Sequence, residues 1–194
     1  VFSFSTPKII TTGQGGMIVT NNKKLFEKCV KLKDFGREIN KKKKMFHTFE
    51  HNTIGYNFKF TEFQAAVGIS QMRKLQKRMK IKKKMFSLYA EMLKNVDEIE
   101  FIETDLSKIT PWMMDILIKN KDKKFKLINF LNKQLIETRI FYPPIHSLPP
   151  YNKSSKGFAV TKDISDRGLW LPSSVNLVEK DIIRISTLIK KFFH

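Results

Sequence analysis

Ser3-Phe4-Ser5-Thr6-Pro7-Lys8-Ile9-Ile10-Thr11-Thr12-Gly13-Gln14-Gly15-Gly16-Met17-Ile18-Val19-Thr20 decides how the rest of the chain is read. One lysine stands between an apolar, hydroxyl-rich segment and a Gly-Gln-Gly-Gly turn. Ile9 to Thr12 is a β-branched run, which favours a strand. The glycines admit positive φ or close backbone approach. Met17 to Thr20 reads as a second strand. The segment therefore predicts a hairpin over residues 9–20, with Lys8 at its entrance. By local sequence alone, Lys8 would be a surface lysine on a strand end. The surrounding pattern gives it a different meaning.

Three later stretches join the first. Gly55-Tyr56-Asn57-Phe58-Lys59-Phe60-Thr61-Glu62-Phe63-Gln64-Ala65-Ala66-Val67-Gly68 is one. The second is Glu137-Thr138-Arg139-Ile140-Phe141-Tyr142-Pro143-Pro144-Ile145-His146. The third is Gly168-Leu169-Trp170-Leu171-Pro172-Ser173. Together, in this order, they resemble the motifs of the pyridoxal-phosphate-dependent sugar-nucleotide aminotransferases, a branch of the fold-type I aminotransferases. The first stretch matches that family's lysine motif at Ser3, Phe4, Lys8, Thr12, Gly13, Gln14, Gly15 and Gly16.

The resemblance implies roles for particular residues. Lys8 is implied to be the Schiff-base lysine, since a primary amine can form an imine with the cofactor aldehyde and later shuttle a proton. Ser3 is implied to hydrogen-bond the phosphate of pyridoxal 5'-phosphate. Asn57 matches an asparagine that reaches the phosphate of the partner subunit's cofactor, so a homodimer with shared active sites is expected. His146 matches a histidine at the sugar-nucleotide site. Lys59 stands where the family more often has arginine; it keeps the charge but loses the planar fork. Gln14 replaces a common glutamate, a change that occurs within the family.

Only seven residues precede Lys8, whereas the resemblance puts roughly half the protein ahead of that lysine. The expectation is a C-terminal fragment lacking the aspartate that faces the pyridine nitrogen, and inactive alone. The expected fold is α/β: the end of a large cofactor-binding domain with connecting helices over residues 1–95, then a small α/β sandwich domain over 96–194. The implied reaction moves an amino group from glutamate to a keto-sugar nucleotide. Residues 138–143 look most like perosamine-synthase-type enzymes, which act at C4 of a 4-keto-6-deoxyhexose. A 3-keto-sugar aminotransferase, a catalytically silent remnant and a basic nucleic-acid-binding module are the alternatives.

The last alternative comes from charge. Lys and Arg number 37 against 18 acids, a formal net charge of +19. Residues 73–84 hold eight basic side chains and no acid, and Lys41 to Lys44 is a second run. Met72, Leu75, Met79, Phe86, Tyr89 and Leu93 fall near helical spacing through the basic run, which makes it an amphipathic helix with a wet side. Lysines are scattered over every segment without an RNA-binding aromatic signature, so no specific nucleic-acid partner is expected. No apolar run is long enough to cross a bilayer. A single cysteine, Cys29, excludes a disulfide framework and fits a reducing cytoplasm. His47, His51 and His194 lack metal-ligand spacing, so no metal is expected.

Element readings complete the picture. Residues 23–35 predict a helix, and Thr61 an N-cap opening another. A long helix then runs to about Lys94. Residues 99–103, 112–118 and 139–142 predict strands. Phe125, Ile128, Leu131 and Leu135 predict a helical stripe over residues 123–136. Residues 178–193 predict a closing helix.

Overall fold

In the computed structural model, which describes residues 1–37, 51–151 and 157–194, strand β1 (Phe2–Ser3) pairs antiparallel with β2 (Gly16–Met17). Phe2 lies opposite Met17 and Ser3 opposite Gly16. The expected hairpin over residues 9–20 is not formed. Thr12 N–H and the Thr11 hydroxyl both donate to the Phe4 carbonyl, at 3.0 and 2.9 Å. The Thr12 hydroxyl donates to the Gln14 carbonyl at 2.8 Å. Threonine bonds of this local kind compete with a strand ladder. Lys8 thus sits inside the loop that joins two paired strands, not at a strand entrance.

Two helices complete the first of the chain's two units, Val1–Leu75. Helix α1 (Lys23–Lys33) is capped by Asn22, whose side chain accepts from Leu25 N–H at 3.0 Å. Helix α2 (Glu62–Met72) opens with a capping box in which Thr61 and Gln64 satisfy each other's backbone amides. Apolar side chains are present here but not enclosed. Every buried hydrophobic residue among those described lies within residues 85–189.

The second unit, Gln76–His194, holds that core. The long helix α3 (Leu75–Leu93) packs with this unit. Its Met85, Phe86, Tyr89 and Leu93 are buried at helical spacing. Strands β3 (Ile99–Phe101), β4 (Met114–Ile118), β5 (Arg139–Ile140) and β6 (Gly168–Leu171) form one antiparallel sheet in the order β3-β4-β6-β5. In β4, Met114, Ile116 and Ile118 enter the core, and in β6 Leu169 and Leu171 join them. This period of two sends Asp115 and Trp170, which pair across the two strands, to the opposite face. Helices α4 (Lys121–Lys133), α5 (Ala159–Arg167) and α6 (Glu179–Phe193) complete the unit. α4 supplies Leu127 and Leu131 to the core, and α6 supplies Ile182, Ile185 and Ile189.

Three differences from the sequence reading have local causes. Strand β6 and helix α5 were not anticipated, because one is short and glycine-led and the other follows a proline- and serine-rich stretch. The stripe on α4 is turned by about one residue: Lys124, Leu127 and Leu131 are buried, while Phe125 is 57% exposed and Leu135 is 93% exposed. Leu135 lies beyond the helix end, at φ +58°. Ile136 N–H then donates to the Leu131 carbonyl at 3.0 Å, the closure of a helix terminus that favours glycine in the left-handed position.

One member of the basic run is inside the fold. Lys82 is 6% exposed; its ammonium donates to the Trp112 carbonyl at 2.8 Å and also to the Ser173 carbonyl. Tyr89, two turns along α3, donates to the Pro172 carbonyl at 3.1 Å. Both thus tie α3 to the segment leaving β6. Burial lowers the Lys82 pKa from 10.5 to about 8.

Two predictions come from this unit. Leu135→Gly relieves a left-handed leucine whose side chain packs on nothing, and should stabilise the fold by up to about 1 kcal/mol; the midpoint of urea unfolding reads the change. For Lys82, the unfolded chain holds a proton that the folded chain has released between pH 8 and 10.5. Stability relative to the non-titrating Lys82→Met variant should therefore be flat below pH 8 and rise from pH 8 toward 10. A fall over that window would refute the assignment.

Candidate active site in the Lys8 loop

Hydroxyls and carbonyls knit the loop that carries Lys8. Ser5 is its hub: its hydroxyl lies 3.1 Å from the Ser3 hydroxyl, and its carbonyl accepts from Lys8 N–H at 3.1 Å. The Thr6 hydroxyl donates to the Gly13 carbonyl at 3.0 Å, and Gly13 N–H donates to the Thr11 hydroxyl at 2.9 Å. Phe4 N–H donates to the Gly15 carbonyl at 2.9 Å. Ser3, at the end of β1, is thus linked through Ser5 to the loop in which Lys8 is half-buried.

The glycine turn is fitted against this loop. Gly15 has φ +136°, and a Cβ there would lie 2.7 Å from the Phe60 ring and 3.1 Å from the Thr12 hydroxyl. A Cβ on Gly16 would lie 2.8 Å from the Phe2 carbonyl oxygen. From α2, the Gln64 amide donates to the Gln14 carbonyl at 2.9 Å while its oxygen accepts from Thr61 N–H at 3.0 Å. One glutamine therefore both caps α2 and clamps the turn. Beside the loop lies an apolar cavity of about 610 Å³, bordered by Phe4, Ile10, Met17, Phe60 and Ile69.

Asn57 is anchored separately in the same unit. Tyr56 N–H donates to the Leu32 carbonyl at 2.7 Å, and Phe58 N–H to the Lys33 carbonyl at 3.0 Å. These are end carbonyls of α1, which a helix leaves without internal partners. Asn57 forms an antiparallel bridge with Asp34. Asn57 is exposed, and among the described residues its side-chain amide makes no hydrogen bond. Lys59, the departure from the family's arginine, pairs with Asp34 at 2.9 Å, and Arg37 pairs with the same oxygen at 2.8 Å. The Lys59 contact, helped by Arg37, holds the Asp34 carboxyl below the usual carboxylate range.

His146 belongs to the second unit, in the 3-10 turn Ile145–Ser147. Its half-buried ring stacks on Phe158, with centroids 4.4 Å apart and planes 15° apart. Stacking occupies a face and leaves the ring nitrogens without hydrogen bonds among the described residues. His47 and the Lys41 to Lys44 run lie outside the described residues. His51 Nδ1 is 2.6 Å from the Phe35 carbonyl oxygen. Among the described residues no group of three His, Cys, Asp or Glu side chains could hold a metal, and no helix is long and apolar enough to cross a membrane. Sequence reasoning missed Ser5 and Gln64 as parts of the Lys8 loop. The capping-box spacing of Thr61 and Gln64 was the one available signal for the second.

The chain matches the DegT/DnrJ/EryC1/StrS aminotransferase family over residues 1–190. It is similar to the GDP-perosamine synthase of Escherichia coli O157:H7, 31% identical over 192 residues covering 99% of this chain and 51% of that protein. The GDP-perosamine synthase of Vibrio cholerae is 30% identical over 200 residues, covering 100% of this chain and 52% of that protein. Among solved structures, Helicobacter pylori PseC, an aminotransferase involved in the biosynthesis of pseudoaminic acid, aligns with a TM-score of 0.87 at 28% identity, covering 99% of this chain and 52% of that one. The chain spans about half the length of the curated relatives it matches. Its fold is that of the C-terminal part of a fold-type I transferase. With the lysine loop intact and the match running through nearly every residue, the chain belongs to the DegT/DnrJ/EryC1/StrS aminotransferase family.

Proposed function

We propose that the complete protein carrying this chain is a pyridoxal-phosphate-dependent aminotransferase that transfers an amino group from glutamate to a keto-sugar nucleotide. The observation that carries the reading is the Lys8 loop, a half-buried lysine in a segment whose hydroxyl and carbonyl groups bond to one another and to the glycine turn. The residues present fit the cofactor. The Ser3 and Ser5 hydroxyls offer uncharged donors for a phosphate, and Gly15 and Gly16 let the turn pack directly on the Phe60 ring and the Phe2 carbonyl, which keeps the loop closed. Pyridoxal phosphate, when bound, supplies an aldehyde and an electron-withdrawing ring.

The chain's own residues then have defined tasks. Lys8 Nζ holds the cofactor and moves a proton at the substrate carbon. Ser3 orients the phosphate. Asn57, whose amide donates without adding charge, serves the phosphate of the partner's site in a homodimer. His146 hydrogen-bonds the sugar nucleotide through a ring edge left open by the Phe158 stack. The similarity to GDP-perosamine synthases supports a 4-keto-6-deoxyhexose substrate aminated at C4. Residues 1–95 close the large domain and supply the connecting helices, of which α3 packs its inner side on the small domain, 96–194. The chain alone is inactive, and the enzyme works in the cytoplasm without a specific nucleic-acid or membrane partner. Within the basic run, Lys82 is buried and Lys84 pairs with Glu179 at 2.9 Å, so part of that charge is used by the fold.

Borohydride reduction of the complete protein loaded with pyridoxal phosphate should label Lys8; a label on another lysine would sink the reading. Lys8→Ala should abolish turnover. Mixing inactive Lys8→Ala and Asn57→Ala subunits should restore about a quarter of wild-type activity, because half of randomly formed dimers are mixed and each keeps one intact shared site. Absence of recovery, with subunit exchange shown independently, would remove Asn57 from the partner's site.

A further inference from the structure

We propose that Asp34 and Lys59 are positioning residues that lock the register of residues 55–58 against the end of α1 and so aim the Asn57 amide. The inference rests on the reading of Asn57 as a phosphate ligand.

The chain reverses sharply after α1. Asp34 ends the helix, then Phe35 and Gly36 take φ +58° and +78°. Gly36 N–H closes the turn by donating to the Lys31 carbonyl at 2.8 Å. The returning strand crosses this turn in backbone contact. A Cβ on Gly55 would lie 2.0 Å from the Gly36 nitrogen, and a Cβ on Gly36 1.9 Å from the Thr53 carbonyl oxygen. Tyr56 then bonds on both sides: its N–H donates to Leu32, and its carbonyl accepts from Phe35 N–H at 3.1 Å.

These backbone bonds carry no side-chain identity, and the contact between Gly36 and Gly55 marks the register only by excluding a side chain. A slip by one residue would present Tyr56 or Phe58 in place of Asn57. Charge adds a second, attractive marker. Asp34 is the bridge partner of Asn57, and its carboxylate grips Lys59 two residues farther on. Lys59 Nζ also sits 4.7 Å from the centre of the Phe35 ring, and the Arg37 guanidinium 5.3 Å from it. The pair is too exposed, at 46% and 35%, to contribute much to global stability. Its leverage is on alignment, where a small bias selects between registers. Lysine suffices where arginine is usual, because one N–H to one carboxylate oxygen makes the contact.

The test uses the complete protein, with amide hydrogen exchange at Tyr56 and Phe58 and fluorescence titration with pyridoxal phosphate. Asp34→Ala and Lys59→Ala should each speed exchange at both amides and weaken cofactor affinity about fivefold, the upper range for an exposed ion pair. The double variant should lose no more than either single one, and Lys59→Arg should restore both readouts. In an Asn57→Ala background neither change should weaken affinity further. Unchanged exchange overturns the proposal, as does a Lys59→Ala loss that persists without Asn57, which would make Lys59 itself the ligand. If Asn57→Ala leaves affinity unchanged, the ligand reading of Asn57 fails, and the register lock is then judged on exchange alone.

Discussion

Backbone carbonyls that helices and ladders leave without partners must find donors, and this requirement shapes both units. In the first unit, the Phe4 carbonyl takes two threonine donors, and the Gln14 carbonyl takes a threonine hydroxyl and the Gln64 amide. Those bonds turn a segment that could have been a strand into a closed loop around a lysine. The end carbonyls of α1 accept from Tyr56 and Phe58, so the segment bearing Asn57 is held by a helix terminus rather than by a sheet. In the second unit, Trp112, Pro172 and Ser173 present carbonyls to Lys82 and Tyr89 from one face of α3. A buried lysine survives there because two acceptors compensate its lost hydration.

The strongly basic composition is distributed by the same logic. Asp166 gathers Lys121 and Lys162, each at 2.9 Å, while its carbonyl accepts from Lys124. Arg167 joins Glu100 and Asp163 at 2.9 Å each. Exposed pairs of this kind add little stability singly. They do place cations at defined points, which differs from the evenly wet face that a lysine-rich helix suggests.

Several features were readable without coordinates because they depend on neighbours in sequence. Thr61 as an N-cap marks the start of α2, and the apolar spacing of Phe86, Tyr89 and Leu93 marks the inner side of α3. Order and content of the motifs located the lysine loop and gave the family. The phase of α4 was less legible. Leu131 fits two faces, and only the position of the sheet chooses Leu127 over Phe125.

The amino-acid sequence by itself determined the residue types on which the chemistry rests: one lysine flanked by hydroxyls and glycines, an asparagine after Gly-Tyr, a histidine among prolines. These follow from side-chain chemistry and local spacing. Tertiary structure alone decided that β1 pairs with β2 across the Lys8 loop and that β6 lies inside the sheet. It also decided that Gln64 reaches Gln14, and that Lys59 answers Asp34. Each of those is a contact between segments far apart in sequence. Its energy depends on which donor meets which acceptor after the chain has folded, and no local pattern encodes that meeting.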